Sequence, residues 1–142
     1  MSKEIFESYH KVRTFECDSY GHVNNATYLN YLEYARMEAL EKKGITLALL
    51  RSSGYMVIIK RVDIEYKYPA SMGEILKIKT WLKDYRNTSG TFRQEIIREF
   101  DSRQVALADV LWVFTNLEGR PIPIPQIIQK AFGFKLKSRN RG

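Results

Sequence analysis

Between Ile58 and Tyr68 the chain alternates: of the even positions Ile58, Val62, Ile64, Tyr66 and Tyr68 are apolar and Lys60 is the exception, while the odd positions Arg61, Asp63, Glu65 and Lys67 are polar. Successive side chains of a strand point to opposite faces, so a period of two predicts a long strand with one buried face, closed by Pro69. The run ILKIKTWLKDY repeats the pattern, with Leu76, Ile78, Thr80 and Leu82 on one side and Lys77, Lys79 and Lys83 on the other. Asn87 to Gly90 reads as a hairpin turn. TFRQEIIREF and VALADVLWVFT follow, joined across Asp101 and Ser102; the second is apolar on both parities except at Asp109, which predicts a strand covered on both faces. Four strands joined by tight turns imply an antiparallel meander, and its apolar face needs a covering layer.

The covering layer follows Asn24 and Asn25, either of which can cap a helix. Leu29, Leu32, Ala35 or Arg36, and Ala39 or Leu40 recur at helical spacing, and Tyr28, Tyr31, Tyr34 and Met37 widen the apolar stripe. Lys42, Lys43 and Gly44 supply a basic last turn and a glycine stop. A strand is expected over about residues 8–16, a short helix within 45–54, and another from about Gln126 to Phe132 after the segment RPIPIP. The pattern is α+β with one dominant helix. No repeat or linker divides it, so one domain spans residues 1–142, with a core over about 8–117 and a basic tail over about 133–142.

Charge and cysteine content narrow the partners. Six of the seven surplus positive charges fall after Glu118, on Arg120, Lys130, Lys135, Lys137, Arg139 and Arg141, so the remainder is nearly neutral. The ending KLKSRNRG reads as a solvated tail or as a neighbour for a phosphate-rich ligand. A nucleic-acid partner is not expected, because aromatic and basic residues do not interleave as a single-strand binder requires. With Cys17 as the one cysteine, no internal disulfide can form, and His10 and His22 beside it do not make a metal site. No apolar run approaches a membrane span and the N-terminal MSKEIFESYHK carries charges throughout with no apolar stretch, so a cytoplasmic chain off the membrane is expected.

Reactive side chains concentrate ahead of the long helix: Cys17, Asp18, Tyr20, His22, Asn24 and Asn25. A helix N-terminus presents unpaired N–H groups that polarise a carbonyl or hold an oxyanion, and a carboxylate at Asp18 lies a few residues away. That pairing suits acyl transfer. Asp18-Ser19-Tyr20-Gly21 reads equally as an ordinary turn, since Asp, Ser and Gly gather in turns for local reasons. Cys17 has no cysteine-hydrolase signature around it and reads as a small buried hydrophobe. There is no G-x-S-x-G elbow and no glycine-rich phosphate loop, which counts against serine hydrolases and nucleotide hydrolysis.

The run DSYGHVNNATYLNYLEYAR, Asp18 to Arg36, resembles the signature of the 4-hydroxybenzoyl-CoA thioesterase branch of the hotdog superfamily, a D-x-x-G-H-x-N-N-x-x-Y pattern followed by an acidic residue and an arginine on the helix. Arg61 to Glu74 (RVDIEYKYPASMGE) resembles that family's second strand and its turn. The resemblance implies a hotdog fold, an antiparallel β-sheet wrapped around one long central α-helix. It implies a thioesterase acting on an acyl-CoA or on an acyl group carried by acyl carrier protein, with no cofactor beyond the coenzyme A of the substrate.

Residue by residue, the resemblance makes Asp18 the catalytic carboxylate, as nucleophile or as general base on water. The backbone N–H near Asn25 becomes the group that polarises the thioester carbonyl. His22 and Tyr28 fall where relatives line the acyl pocket or position water, although Tyr28 reads equally as core packing and Glu33 with Arg36 as a structural ion pair. Lys60 and Arg61 are candidates to meet phosphates in a cleft between two subunits, which implies a homodimer or homotetramer. A hotdog dehydratase or hydratase and a non-catalytic acyl-thioester-binding module are the competing readings.

Overall fold

A computed structural model describes residues 3–137. In β3 (Ile75–Tyr85) the alternation holds, and Leu76, Ile78 and Thr80 are wholly buried. The other strands are β1 (Phe6–Lys11), β2 (Met56–Tyr66), β4 (Ser89–Arg98) and β5 (Arg103–Thr115). All pairings are antiparallel, in the order β1-β3-β4-β5-β2. Only β3 to β5 form a meander. β2 crosses the sheet to pair with β5, so the expected four-strand meander is corrected, and the strand that announced the sheet lies at its edge.

The long helix α1 (Thr27–Glu41) supplies the covering layer, burying Tyr28, Tyr31, Leu32, Ala35, Arg36, Ala39 and Leu40. This is the hotdog arrangement of a sheet around one helix. Asn24 turns the chain into α1: its side chain accepts the Ala26 N–H at 3.0 Å and its carbonyl the Thr27 N–H at 2.9 Å. The helix ends at Gly44, whose φ of 75° lets the Ile45 N–H return to the Leu40 carbonyl. A short helix α2 (Leu47–Ser52) follows, capped by the Thr46 hydroxyl.

Beneath α1, Gln94 is fully buried and joins helix to sheet. Its amide donates to the Leu32 carbonyl at 3.0 Å and the Thr80 hydroxyl at 2.9 Å, and its oxygen accepts from Arg36 at 3.0 Å. Arg36 therefore faces inward to Gln94 rather than pairing with Glu33, and burial pushes its guanidinium below the usual range.

Two further expectations change. The outer parity of β5, Leu107, Asp109, Leu111 and Val113, is only half-buried, because within one chain nothing layers over that side of the sheet. Asp109 there binds Lys83 and Arg93 at 2.8 and 2.9 Å, and these contacts hold its carboxyl below the usual range, hydrogen bonding from Arg93 being the main cause. The core also reaches past residue 117. After Thr115 the chain runs to α3 (Gln126–Ala131), and Ile124, Ile128 and Phe134 are buried with Phe92, Trp112 and Phe114. Phe134 stacks on Tyr85 with ring centroids 4.1 Å apart, so residues 133–136 are packed structure rather than tail. Residues 138–142 of the expected tail lie outside the described residues. Among the described residues no helix is long and apolar enough to cross a membrane.

Candidate active site

The segment ahead of α1 is a tight hairpin. Cys17 pairs with Val23, the Asp18 N–H donates to the His22 carbonyl at 2.8 Å, and Gly21, at φ 78°, closes the turn by donating to the Asp18 carbonyl at 3.0 Å. The turn reading of Asp18 is thus correct as far as it goes. Its Oδ1 accepts from the Tyr20 N–H at 2.9 Å and the His22 N–H at 3.2 Å. Both bonds end on one oxygen. Oδ2 carries none among the described residues, and Asp18 is exposed, so one carboxylate oxygen is held in place by the turn while the other is left uncommitted.

The hairpin is pinned from behind by the loop between β2 and β3. His22 bridges to Ser71, the Val23 N–H donates to the Ala70 carbonyl at 2.9 Å, and the Met72 N–H to the Gly21 carbonyl at 3.1 Å. The turn from Asn24 into α1 leaves the Asn25 N–H without a protein acceptor among the described residues, while the Tyr66 hydroxyl fixes the Asn25 carbonyl at 2.9 Å. The site thus carries a half-committed carboxylate and an unclaimed N–H on the two arms of one turn, both exposed.

The other candidates divide. His22 is half-buried in the hairpin. Tyr28 is 2 % exposed, its hydroxyl accepts the Ala70 N–H at 3.2 Å, and its ring meets Tyr31 and Tyr66, so it packs the wall behind the hairpin. Burial pushes its phenol up, which keeps it protonated. Burial first, then the charges of Asp18 and Glu16, pushes the Cys17 thiol up as well, opposite to what a nucleophilic thiolate needs. Lys60 and Arg61 are not brought to Asp18 within one chain. They sit at a bulge in β2, Arg61 pairs with Asp63 at 3.1 Å, and five residues of strand, about 17 Å, separate Arg61 from Tyr66.

Sequence reasoning missed a cluster directly below the hairpin. The Glu16 carboxylate accepts from the Arg13 N–H at 2.7 Å and the Tyr31 hydroxyl at 3.0 Å, and His10 Nε2 lies 2.9 and 3.0 Å from its two oxygens. An ionised carboxylate only accepts, so Nε2 carries the proton in this contact. Burial acts to raise the Glu16 carboxyl, but the bonds from His10, Arg13 and Tyr31 outweigh it and hold the group below the usual range. A carboxyl lowered in the folded state stabilises the fold above the ordinary glutamate pKa of about 4.3 and loses that contribution as pH falls through its folded value. Glu16→Gln is accordingly expected to melt below the wild type at neutral pH, with the gap closing under about pH 4. A gap independent of pH would show that the charge contributes nothing.

Residues 12–132 match the Thioesterase-like superfamily. The chain belongs to that superfamily. It is 32% identical over 108 residues to the long-chain acyl-CoA thioesterase FadM of Escherichia coli strain K12, covering 76% of this chain and 81% of FadM. It is 27% identical over 133 residues to the acyl-CoA thioester hydrolase YbgC of Escherichia coli O6:H1, covering 93% and 98%. The crystal structure of Slr0204, a 1,4-dihydroxy-2-naphthoyl-CoA thioesterase from Synechocystis, superposes with a TM-score of 0.86 over 92% of this chain and 96% of that one, at 21% identity, a likeness of fold. This superfamily member is a thioester hydrolase.

Proposed function

We propose that this thioesterase hydrolyses acyl-CoA thioesters at the Asp18–Asn25 turn. The observation that carries the reading is the division of labour at Asp18: Oδ1 is fixed by two backbone N–H groups, and Oδ2, like the Asn25 N–H on the other arm of the turn, has no partner among the described residues. The thioester carbonyl oxygen accepts from the Asn25 N–H, which stabilises the negative charge developing there. Asp18 attacks the carbonyl carbon or draws a proton from the water that does. The C–S bond breaks and the thiol leaves with a proton; water then supplies the remaining oxygen, directly to the acyl carbon or by opening the anhydride formed with Asp18. No cofactor enters this scheme. A cytoplasmic location remains part of the same reading.

Thiol release from butyryl-, decanoyl-, palmitoyl- and benzoyl-CoA, with decanoyl-acyl carrier protein in parallel, tests the reading. Turnover of at least one CoA ester is expected. Turnover of the carrier-protein ester alone would move the substrate to acyl carrier protein, and saturable binding without thiol release would make the chain a binding module.

The reading includes a second copy of the chain. β2 is eleven residues long, lies at the sheet edge and exposes Ile58 and Ile59 at 42 % each. A long apolar edge invites another strand and is normally covered. Pairing there makes a homodimer and gives Lys60 and Arg61, remote from Asp18 in their own chain, the other subunit's site to serve. Sedimentation is expected to give twice the chain mass, and Ile58→Asp to shift the protein to monomer. A fully active wild-type monomer would overturn this part; a homotetramer would add a further interface.

A further inference from the structure

Glu16 holds more of the site than any residue named in the mechanism. Its carboxylate gathers three donors from three places: His10 on β1, the Arg13 N–H in the connecting turn, and Tyr31 on α1. Its backbone takes part as well, since the Glu16 carbonyl accepts the Asn24 N–H at 3.0 Å. Asp18 lies two residues after Glu16, and Asn25 follows Asn24. One residue is therefore tied to both arms of the turn, the arm bearing the carboxylate and the arm bearing the free N–H.

We propose that Glu16, gripped by His10 and Tyr31, is the positioning residue that sets the spacing between the Asp18 carboxylate and the Asn25 N–H. The inference rests on the proposed acyl-CoA hydrolysis at that turn. The reacting groups are exposed and the hairpin itself is short, so its own hydrogen bonds fix its shape but not its placement over the helix. That placement comes from behind, through the contacts with Ala70, Ser71 and Met72, and from below, through Glu16. Tyr31 is 3 % exposed and sits on the face of α1 packed against the sheet, so its hydroxyl is a fixed point of the core. Burial, and then its bond to Glu16, pushes the Tyr31 phenol far up, so it stays a donor throughout the working range. The His10 ring lies against Tyr31 with centroids 4.5 Å apart and reaches the same carboxylate from the outermost strand. With helix and strand both bonded to Glu16, neither arm of the turn can drift without breaking a charge-assisted hydrogen bond.

Three variants separate positioning from plain stability. Tyr31→Phe removes one donor and keeps the ring; His10→Phe removes the other and keeps the contact with Tyr31; His10→Gln restores an N–H donor. Thiol release from the acyl-CoA series is expected to show kcat about tenfold lower in Tyr31→Phe and His10→Phe with KM little changed, because a small misplacement costs the chemical step most. His10→Gln is expected to recover most of that loss. Amide hydrogen exchange is measured on the same proteins. Exchange should quicken at Tyr20, His22 and Asn24, whose N–H groups the hairpin and Glu16 hold, and stay unchanged in β3 and β4.

Unchanged exchange at those three amides, or an equal rise throughout the sheet, would overturn the proposal, as would kcat losses that His10→Gln does not reduce. If exchange quickens locally as expected but the wild type cleaves none of the esters, the anchoring of the turn stands and the acyl-CoA reading fails.

Discussion

Asp18→Asn is expected to lower thioester hydrolysis by about a hundredfold or more, in the range of 10²–10⁴ that a positioned acid or base contributes. The substitution is informative because it leaves the turn alone. Asn keeps the oxygen that accepts from the Tyr20 and His22 N–H groups, and Asn is as much at home as Asp in a turn of this kind. What it removes is the charge, and with it the ability of the uncommitted oxygen to take a proton or attack a carbonyl. Thermal melting should therefore match the wild type while kcat collapses. An Asp18 that served only its turn would give a fully active Asn variant. Asp18→Ala is the weaker experiment, since it removes both functions and confuses the two. Single turnover in ¹⁸O-labelled water then bears on the roles: label in the Asp18 carboxylate with unlabelled acid product marks a nucleophilic Asp18 whose anhydride water opens at the Asp carbonyl, whereas a general base leaves Asp18 unlabelled and puts the label in the product.

The legible parts of this protein were those where one local rule acts alone. Asn24 and Gly44 bound α1 through hydrogen bonds to near neighbours, and the alternation in β3 faces a single layer, so propensity and pattern agree with the structure. β2 was misread in an instructive way. Lys60, the break in the apolar parity, marks a bulge, across which the residues packed against the core change from Val57 to Val62 and Ile64. Reading a single parity through the break assigned Ile58 to the buried face, whereas it is exposed. The Glu16 cluster was invisible for another reason. Its members stand six and fifteen residues apart on three elements, and no local spacing announces that a strand histidine and a helix tyrosine converge on one carboxylate. The motif resemblance singles out Asp18 and Asn25; what holds them in place comes only with tertiary contact.

Gly90 is the other residue whose meaning changed, and it carries the second large prediction. It reads as the end of a hairpin turn, but the turn is closed earlier by the Arg86 N–H donating to the Ser89 carbonyl, and Gly90 lies within β4, opposite Tyr85 on one side and Trp112 on the other. Its φ is not what requires glycine. A Cβ there would run into the Trp112 ring, meeting Cζ2 in hard overlap and lying 2.5 Å from Cη2. Trp112 cannot retreat, being 3 % exposed and packed against Phe92 and Phe114 with ring centroids 5.5 Å away in each case. Gly90→Ala is therefore expected to cost about 3 kcal/mol or more in urea unfolding, at the upper end of what overpacking a core costs. Trp112→Leu alone should also destabilise, by leaving a cavity. The two losses should not add, because the smaller side chain vacates the space into which the new methyl projects. Gly90→Ala in the Trp112→Leu background is expected to be neutral or mildly stabilising, whereas additive losses would show that the glycine serves the backbone and not the indole.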